Sequence, residues 1–203
     1  RGGYCYELNY LYMTLLQHLG FEVRGITGRV VMNAPEGAWV ARTHRLTLLT
    51  LDGVRYITDV GFGGMVPTAP LRLDTEAEQA TPHEPFRITR EDESYTLHAK
   101  VADEWRAMYV FDLQRQGDID YEIGNWYVST HPASPFLGQL KVALLAPGKR
   151  HTLNNAHYAI HALDQPSEKR VLNNVQELRA LLRDTFGIRV PVHPSLDEVF
   201  AGR

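Results

Sequence analysis

A cysteine, a histidine and an aspartate in this sequence could together make a sulfur nucleophile. Cys5 is the only cysteine among the 203 residues, so it cannot form an internal disulfide. It stands where a helical pattern begins, and the dipole at a helix N-terminus favours a thiolate. His44 could take the proton of such a thiol, and Asp59 could orient the imidazole. Taken singly, each residue type is more often structural: a buried thiol, a satisfied polar group or a turn cap.

The residues after Cys5 predict the helix that would carry the nucleophile. Apolar side chains recur every three or four positions, which is typical of one helix face. They are Leu8, Leu11, Tyr12, Leu15, Leu16 and Leu19. We therefore expect a helix over residues 5–19 that ends at Gly20.

A hairpin signal predicts how His44 and Asp59 meet. Asp52-Gly53 lies between predicted strands at residues 43–51 and 54–60, and this dipeptide favours a two-residue turn. Side chains alternate along a strand, so this pairing puts His44 and Asp59 on one face. They become diagonal neighbours, roughly 7–8 Å apart at Cβ, which a hydrogen bond between a carboxylate and an imidazole can span.

The remaining pattern predicts an α+β fold. Residues 21 to about 146 are rich in β-branched and aromatic residues, and a later hairpin and helices follow. We expect strands at residues 21–31, 43–51, 54–60, 94–101, 105–111 and 139–145, with loops at 32–42 and 75–85. A hairpin is expected over residues 149–163. Asn174 with Glu177 resembles a capping box that starts a helix ending at Gly187, and Ser195 with Glu198 repeats the signal.

Composition excludes several classes of function. The net charge of −3 provides no general attraction to nucleic acid, and no apolar run is long enough to span a bilayer. Hydrophobic residues make up 44% and charged residues 22%, as in ordinary globular proteins. A single cysteine fits a reducing compartment, and we expect a cytoplasmic protein that binds neither nucleic acid nor membrane.

Four motifs together resemble the arylamine N-acetyltransferase family. They are Arg-Gly-Gly-Tyr-Cys-Tyr-Glu-Leu-Asn at residues 1–9, Thr-His at 43–44, Thr-Asp-Val-Gly-Phe-Gly at 58–63 and Asn-Trp-Tyr-Val-Ser-Thr-His-Pro-Ala-Ser-Pro-Phe at 125–136. Their order and spacing match the family over nearly the whole chain. The resemblance implies a cysteine-protease-like core in which a helix with the cysteine packs on an antiparallel β-barrel. It also implies three domains: residues 1–20 as the remnant of an N-terminal helical domain, 21–146 as the barrel and 147–203 as a C-terminal α/β lid.

The same resemblance implies a reaction and a triad. Acetyl-CoA would acylate Cys5 in a ping-pong mechanism, and an arylamine, arylhydrazine or hydrazide would then attack the thioester, as in xenobiotic metabolism. Cys5 would be the nucleophile, His44 the base and Asp59 the orienting acid, with acetyl-CoA as co-substrate and no metal.

Further residues are candidates for contacts with the two substrates. Phe62 and Trp126 could form walls for the acceptor ring, although core packing is an equal reading for Phe62 and the more common one for Trp126. Arg42, Thr43, Gly63 and Ser134 could contact the CoA moiety. Alternatively, Arg42 is a solvated charge, Gly63 is a steric requirement and Ser134 caps a turn.

Three alternative functions stay open, and the sequence departs from the family in one respect. The same triad would serve an amide synthase that uses another acyl thioester, or a papain-like or transglutaminase-like amidase. A descendant that only binds ligands is a further reading, which the intact triad disfavours. Relatives carry a helical segment before Arg-Gly-Gly, so we expect an incomplete chain whose first helix exposes an apolar face and whose triad is less firmly held.

Overall fold

The computed structural model of the chain describes residues 2–35, 37–163, 165–190, 197–198 and 200. These residues divide into two compact units. One spans Gly3–Val128, and the other contains Ser129–Arg203 and the first two residues of the chain. The three-domain division expected from the sequence, with boundaries after residues 20 and 146, stays a prediction. Arg1 and most of the segment around the expected last helix at Ser195 lie outside the described residues.

The first helix, α1, spans Cys5–His18, as the sequence predicts. At its start the Tyr4 backbone is extended, and the Tyr4 N–H donates to the Glu7 carboxylate at 3.1 Å. At its end Gly20 has φ +86°, a conformation that favours glycine, and its N–H donates to the Gln17 carbonyl. Local sequence signals therefore set both ends of α1.

The buried face of α1 differs from its apolar stripe. The buried side chains are Cys5, Tyr6, Asn9 and Leu16. Leu11, Leu15 and Leu19 of the stripe are each more than half exposed. The packed face of α1 is thus the one that carries the cysteine and a polar amide.

Seven antiparallel strands form a nearly closed barrel in the first unit. They are β1 Glu22–Val30, β2 Arg42–Leu51, β3 Val54–Thr58, β4 Leu71–Arg72, β5 Phe86–Glu91, β6 Ser94–Val101 and β7 Glu104–Asp112. The order across the sheet is β4-β3-β2-β1-β7-β6-β5, and apolar side chains from these strands fill one core. The strands expected from the sequence in this region are confirmed within two residues, whereas β4 and β5 were not predicted.

The loop predicted at residues 75–85 links the two outermost strands. The backbone of Gln79 forms a bridge with Phe86 at the start of β5. Its side chain accepts from the Arg72 N–H at 2.8 Å and donates to the Arg72 carbonyl at 3.0 Å, on β4. One glutamine therefore satisfies backbone groups at both free edges of the barrel.

A second helix, α2, spans Asp118–Thr130 and was not predicted. Its isoleucines, valine and aromatic residues favour strands, which explains the wrong expectation of mostly β-structure here. Tyr121 and Val128 are buried in the same cluster as Cys5 and Tyr6. Gly124 makes this packing possible, because a side chain at that position would overlap the Tyr6 hydroxyl.

The second unit contains a four-stranded antiparallel sheet and helix α3. The strands are β8 Lys141–Ala146, β9 Lys149–Asn154, β10 His157–Ala162 and β11 Glu168–Val171. The expected hairpin of β9 and β10 is confirmed. Helix α3 spans Val175–Asp184, and the Asn174 side chain accepts from the Glu177 N–H at 2.9 Å, which confirms the predicted cap. Among the described residues, no helix has the length and apolar character needed to cross a bilayer.

Candidate active site

The turn between β2 and β3 sets the pairing that brings the site together. Asp52 and Gly53 both have positive φ, 51° and 77°, as a type I′ turn requires. The pairing runs from Leu51 opposite Val54 to Thr47 opposite Thr58, which is the predicted register. Strand β3 ends at Thr58 rather than at residue 60, so Asp59 is the first residue after β3.

His44 and Asp59 form the hydrogen bond that this register predicts. His44 Nε2 lies 2.6 Å from Asp59 Oδ2, and both residues are only 3% exposed. Burial lowers the pKa of His44, but the charge and hydrogen bond of Asp59 outweigh it and raise that pKa above its usual value. Burial raises the pKa of Asp59, yet His44, Asn9 and the Gly61 N–H together hold it below its usual value. The pair is therefore stabilised in its ionised form.

Cys5 completes the arrangement from the first turn of α1. It is 5% exposed, and its Sγ lies 3.8 Å from the Thr43 carbonyl, next to His44 in sequence. The sulfur lies close enough to the His44 ring to contribute to the raised pKa of that ring. The structure thus brings together Cys5, His44 and Asp59.

Two residues next to the triad were missed as site residues. Asn9 is fully buried, and its Nδ2 donates to Asp59 Oδ1 at 3.0 Å. The Gly61 N–H donates to the same oxygen at 2.8 Å. The sequence did contain a signal for Asn9, since an amide four residues after Cys5 lies on the same helix face.

Gly61 allows α1 to approach the loop after β3. A Cβ built at Gly61 would lie 2.5 Å from the Cys5 Cα, 3.1 Å from the Cys5 Cβ and 2.8 Å from Asn9 Nδ2. Real Cβ atoms do not approach backbone so closely, so any side chain here would push Cys5 away from His44.

We expect Gly61→Ala to lower the reaction rate at Cys5 by about 100-fold, because a displacement of about 1 Å in a reacting group can have such an effect. Overpacking should also reduce the free energy of unfolding by roughly 1–3 kcal/mol. Steady-state kinetics and urea denaturation would measure both. Gly2→Ala is the matched control, since its Cβ would meet nothing within 4 Å. Equal activity in the two variants would contradict the steric role of Gly61.

Two aromatic rings contact the imidazole. The centre of the Phe62 ring lies 5.0 Å from that of the His44 ring, the centre of the Tyr109 ring lies 4.9 Å from it, and the two aromatic rings also contact each other. Tyr109 was not predicted; burial and the nearby Asp59 charge raise the pKa of its hydroxyl. Phe62 is partly exposed and packs on the barrel core. It therefore has the core-packing role considered for it, and it also borders His44.

A cavity of about 460 Å³ lies in the first unit and is lined in part by Arg42, Thr43, Arg115 and Tyr127. Thr43 is also the residue whose carbonyl is near Cys5 Sγ. Arg42 is not a free surface charge, because it forms an ion pair with Asp112 that raises the pKa of its guanidinium.

The other predicted contact residues are placed differently. Trp126 on α2 is 57% exposed, and its neighbour Tyr127 lines the cavity instead. Gly63 begins a short 3-10 helix, Gly63–Met65, with φ +75°. Ser134 belongs to the second unit, where its Oγ accepts from the Phe136 N–H at 3.3 Å, as a turn cap does. Within the described part of the chain, no cluster of three metal-ligating side chains occurs.

Comparisons with known proteins agree with the motifs. A family model described as N-acetyltransferase matches residues 1–194. The arylamine N-acetyltransferase of Mycolicibacterium smegmatis is 42% identical over 191 residues, 93% of this chain and 69% of the relative. That of Escherichia coli K12 is 39% identical over 94% of this chain and 68% of the relative. The structure of Mycobacterium marinum arylamine N-acetyltransferase in complex with CoA is 41% identical and has a TM-score of 0.93, covering 98% of this chain and 76% of that one.

Proposed function

Since this chain belongs to the arylamine N-acetyltransferase family, we propose that it transfers an acetyl group from acetyl-CoA to an arylamine, arylhydrazine or hydrazide through a thioester on Cys5. The observation that carries this mechanism is the buried 2.6 Å hydrogen bond between His44 and Asp59 beside the only sulfur nucleophile. Family membership supplies the donor and acceptor classes, and the site supplies the chemistry.

In the first half-reaction Cys5 attacks the acetyl carbonyl. His44 Nε2 is engaged by Asp59, which leaves Nδ1 to take the thiol proton. The thiolate forms a bond to the carbonyl carbon, and the bond from that carbon to the CoA sulfur breaks. The proton held on His44 passes to the departing CoA thiolate. The products are a Cys5 thioester and CoA.

In the second half-reaction the acceptor nitrogen attacks the thioester. A weakly basic arylamine is largely unprotonated at neutral pH, so its lone pair is available. The new C–N bond replaces the C–S bond, and His44 accepts the amine proton and returns it to the Cys5 sulfur. Asp59 stabilises the imidazolium in both steps.

The binding contacts follow from the residues around this centre. We assign the acceptor ring to Phe62, which borders His44, and the CoA moiety to the cavity that Arg42 and Thr43 line. The proposal also includes Trp126 as a contact of the acceptor, and Gly63 and Ser134 as contacts of the CoA moiety. A cytoplasmic location is also proposed, because a lone thiol nucleophile suits a reducing compartment.

The test is to find the acetyl group on Cys5. Purified protein is mixed with acetyl-CoA alone, and peptide mass spectrometry should find one acetyl group on the peptide with Cys5. Addition of aniline should remove it and produce acetanilide. Fast release of acetate without the amine would favour an amidase, and preference for a different acyl thioester would favour an amide synthase. Folded protein that acquires no acetyl group on Cys5 would overturn the proposal.

A further inference from the structure

We propose that Asn9 is a positioning residue for this reaction: its carboxamide keeps Asp59 ionised and directed at His44, and joins that carboxylate to the helix that carries Cys5. The inference rests on the proposed function, because it assigns Asn9 a role in the same triad.

The contacts of Asn9 use its hydrogen-bonding groups in one orientation. Nδ2 donates to Asp59 Oδ1 at 3.0 Å and to the Arg45 carbonyl at 2.8 Å. Oδ1 accepts from the Val60 N–H at 3.1 Å. A flipped amide would direct its oxygen at a carboxylate and a carbonyl, both acceptors. The orientation of Asn9 is therefore fixed by three partners, one on β2 and two in the loop after β3.

The two oxygens of Asp59 have separate partners. Oδ1 accepts from Asn9 and from the Gly61 N–H, which leaves Oδ2 for His44 at 2.6 Å. Donors that bind a carboxylate favour its ionised form, and in a fully buried site few other groups can do so. Without Asn9, Asp59 would lose one of two donors to Oδ1 and could rotate away from the imidazole.

Asn9 also connects the carboxylate to the nucleophile. It lies four residues after Cys5, one helical turn along the buried face of α1. Its bonds to Arg45 and Asp59 attach that turn to β2 and to the loop after β3. A change at Asn9 should therefore alter the reactivity of Cys5, although Asn9 bonds to Asp59 and Arg45 and Cys5 approaches Thr43.

The experiment measures Cys5 reactivity without acetyl-CoA, so it is independent of the transfer reaction. The rate of Cys5 alkylation by iodoacetamide is followed from pH 5 to pH 9 in the wild type, Asn9→Leu, Asn9→Asp and the exposed-helix control Gln17→Leu. The titratable groups that face Asp59 and His44 are Cys5 from α1 and Tyr109 from β7. Both are unchanged in every variant.

We expect Asn9→Leu to react about 10- to 100-fold more slowly than the wild type at pH 6, the factor that a hydrogen bond to a charged group represents. The difference should shrink at pH 9, where any thiol ionises. At pH 5 the Cys5 of Asn9→Asp should be alkylated faster than that of Asn9→Leu, because the introduced carboxyl, when protonated, can still donate to Asp59. At pH 8 the introduced carboxyl is ionised, and this difference in rate should disappear. Gln17→Leu should match the wild type.

A purely structural role would have a different signature. Both Asn9 variants would then unfold more easily by circular dichroism, but the alkylation profile of the folded protein would match the wild type, and this result would overturn the proposal. If Asn9→Leu does not fold, the test uses the alkylation rate of Cys5 in Asn9→Asp divided by that in the wild type. Only a positioning role makes this ratio fall as the pH rises. A wild type that reacts only at high pH would instead contradict the proposed triad mechanism.

Discussion

Replacement of Cys5 with serine should reduce acetyl transfer by roughly 10⁵- to 10⁶-fold, the scale seen when a nucleophile is removed from a triad. A hydroxyl is far less readily ionised than a thiol, so it does not form the ion pair with His44 that a thiol can form. Steady-state turnover with acetyl-CoA and aniline would measure the loss. The acetyl group should also be missing from the peptide that contains residue 5.

The fold of this variant should be preserved. Serine is close to cysteine in size, and its hydroxyl can donate to the Thr43 carbonyl that the thiol now approaches. We expect the free energy of unfolding in urea to change by less than about 1 kcal/mol. Transfer at a rate near the wild type, in the folded serine variant, would rule out a cysteine thioester.

Asp59→Asn should lower turnover by about 10⁴-fold. Asn9 and the Gly61 N–H both donate to Oδ1, so the amide oxygen of an introduced asparagine would occupy that position. Its NH2 would then face His44 Nε2 and donate to it. That leaves the hydrogen of the imidazole on Nδ1, the atom that must take the thiol proton, and the base is lost.

The matched control is Asp74→Asn. Asp74 forms an exposed ion pair with Arg72, and such pairs contribute little. Its turnover and unfolding should match the wild type. If Asp59→Asn also retained wild-type turnover, the aspartate would have no part in the mechanism.

The Asp59→Asn variant should also change how the stability of the fold depends on pH. The pKa of His44 is raised in the folded protein, so its pairing stabilises the fold fully below its usual value of 6.5 and less as the pH rises toward the raised value. The wild type should therefore lose stability between pH 6.5 and alkaline pH in urea titrations. In Asp59→Asn this loss should be much smaller, because the raised pKa depends on Asp59.

Short-range sequence signals predicted the core of this site. Asp52-Gly53 determines a turn whose register needs no distant contact, and His44 and Asp59 follow from it by alternation alone. The ends of α1 and the cap of α3 at Asn174 are equally local. These elements agree with the sequence because their hydrogen bonds form within a few residues.

The parts that the sequence did not predict depend on tertiary contacts. Helix α2 contains residues that favour strands, and its packing on Tyr6 through Gly124 overrides that preference. Asn9 appears in a motif, but its bonds to Asp59 and Arg45 exist only once α1 lies on the barrel. Trp126 is 57% exposed, whereas Tyr127, the next residue on α2, lines the cavity, and this difference follows from how α2 packs on the barrel.

The two-residue turn at Asp52-Gly53 has a consequence for how this chain can vary in length. Exposed turns commonly accept inserted residues. A third residue here would demand a bulge or a one-residue shift of β3 against β2, and such a shift turns every later side chain to the opposite face. Asp59 would then leave the imidazole. A surface turn with no atom in the reaction therefore limits the insertions that the site can accept to those that keep the register of β2 and β3.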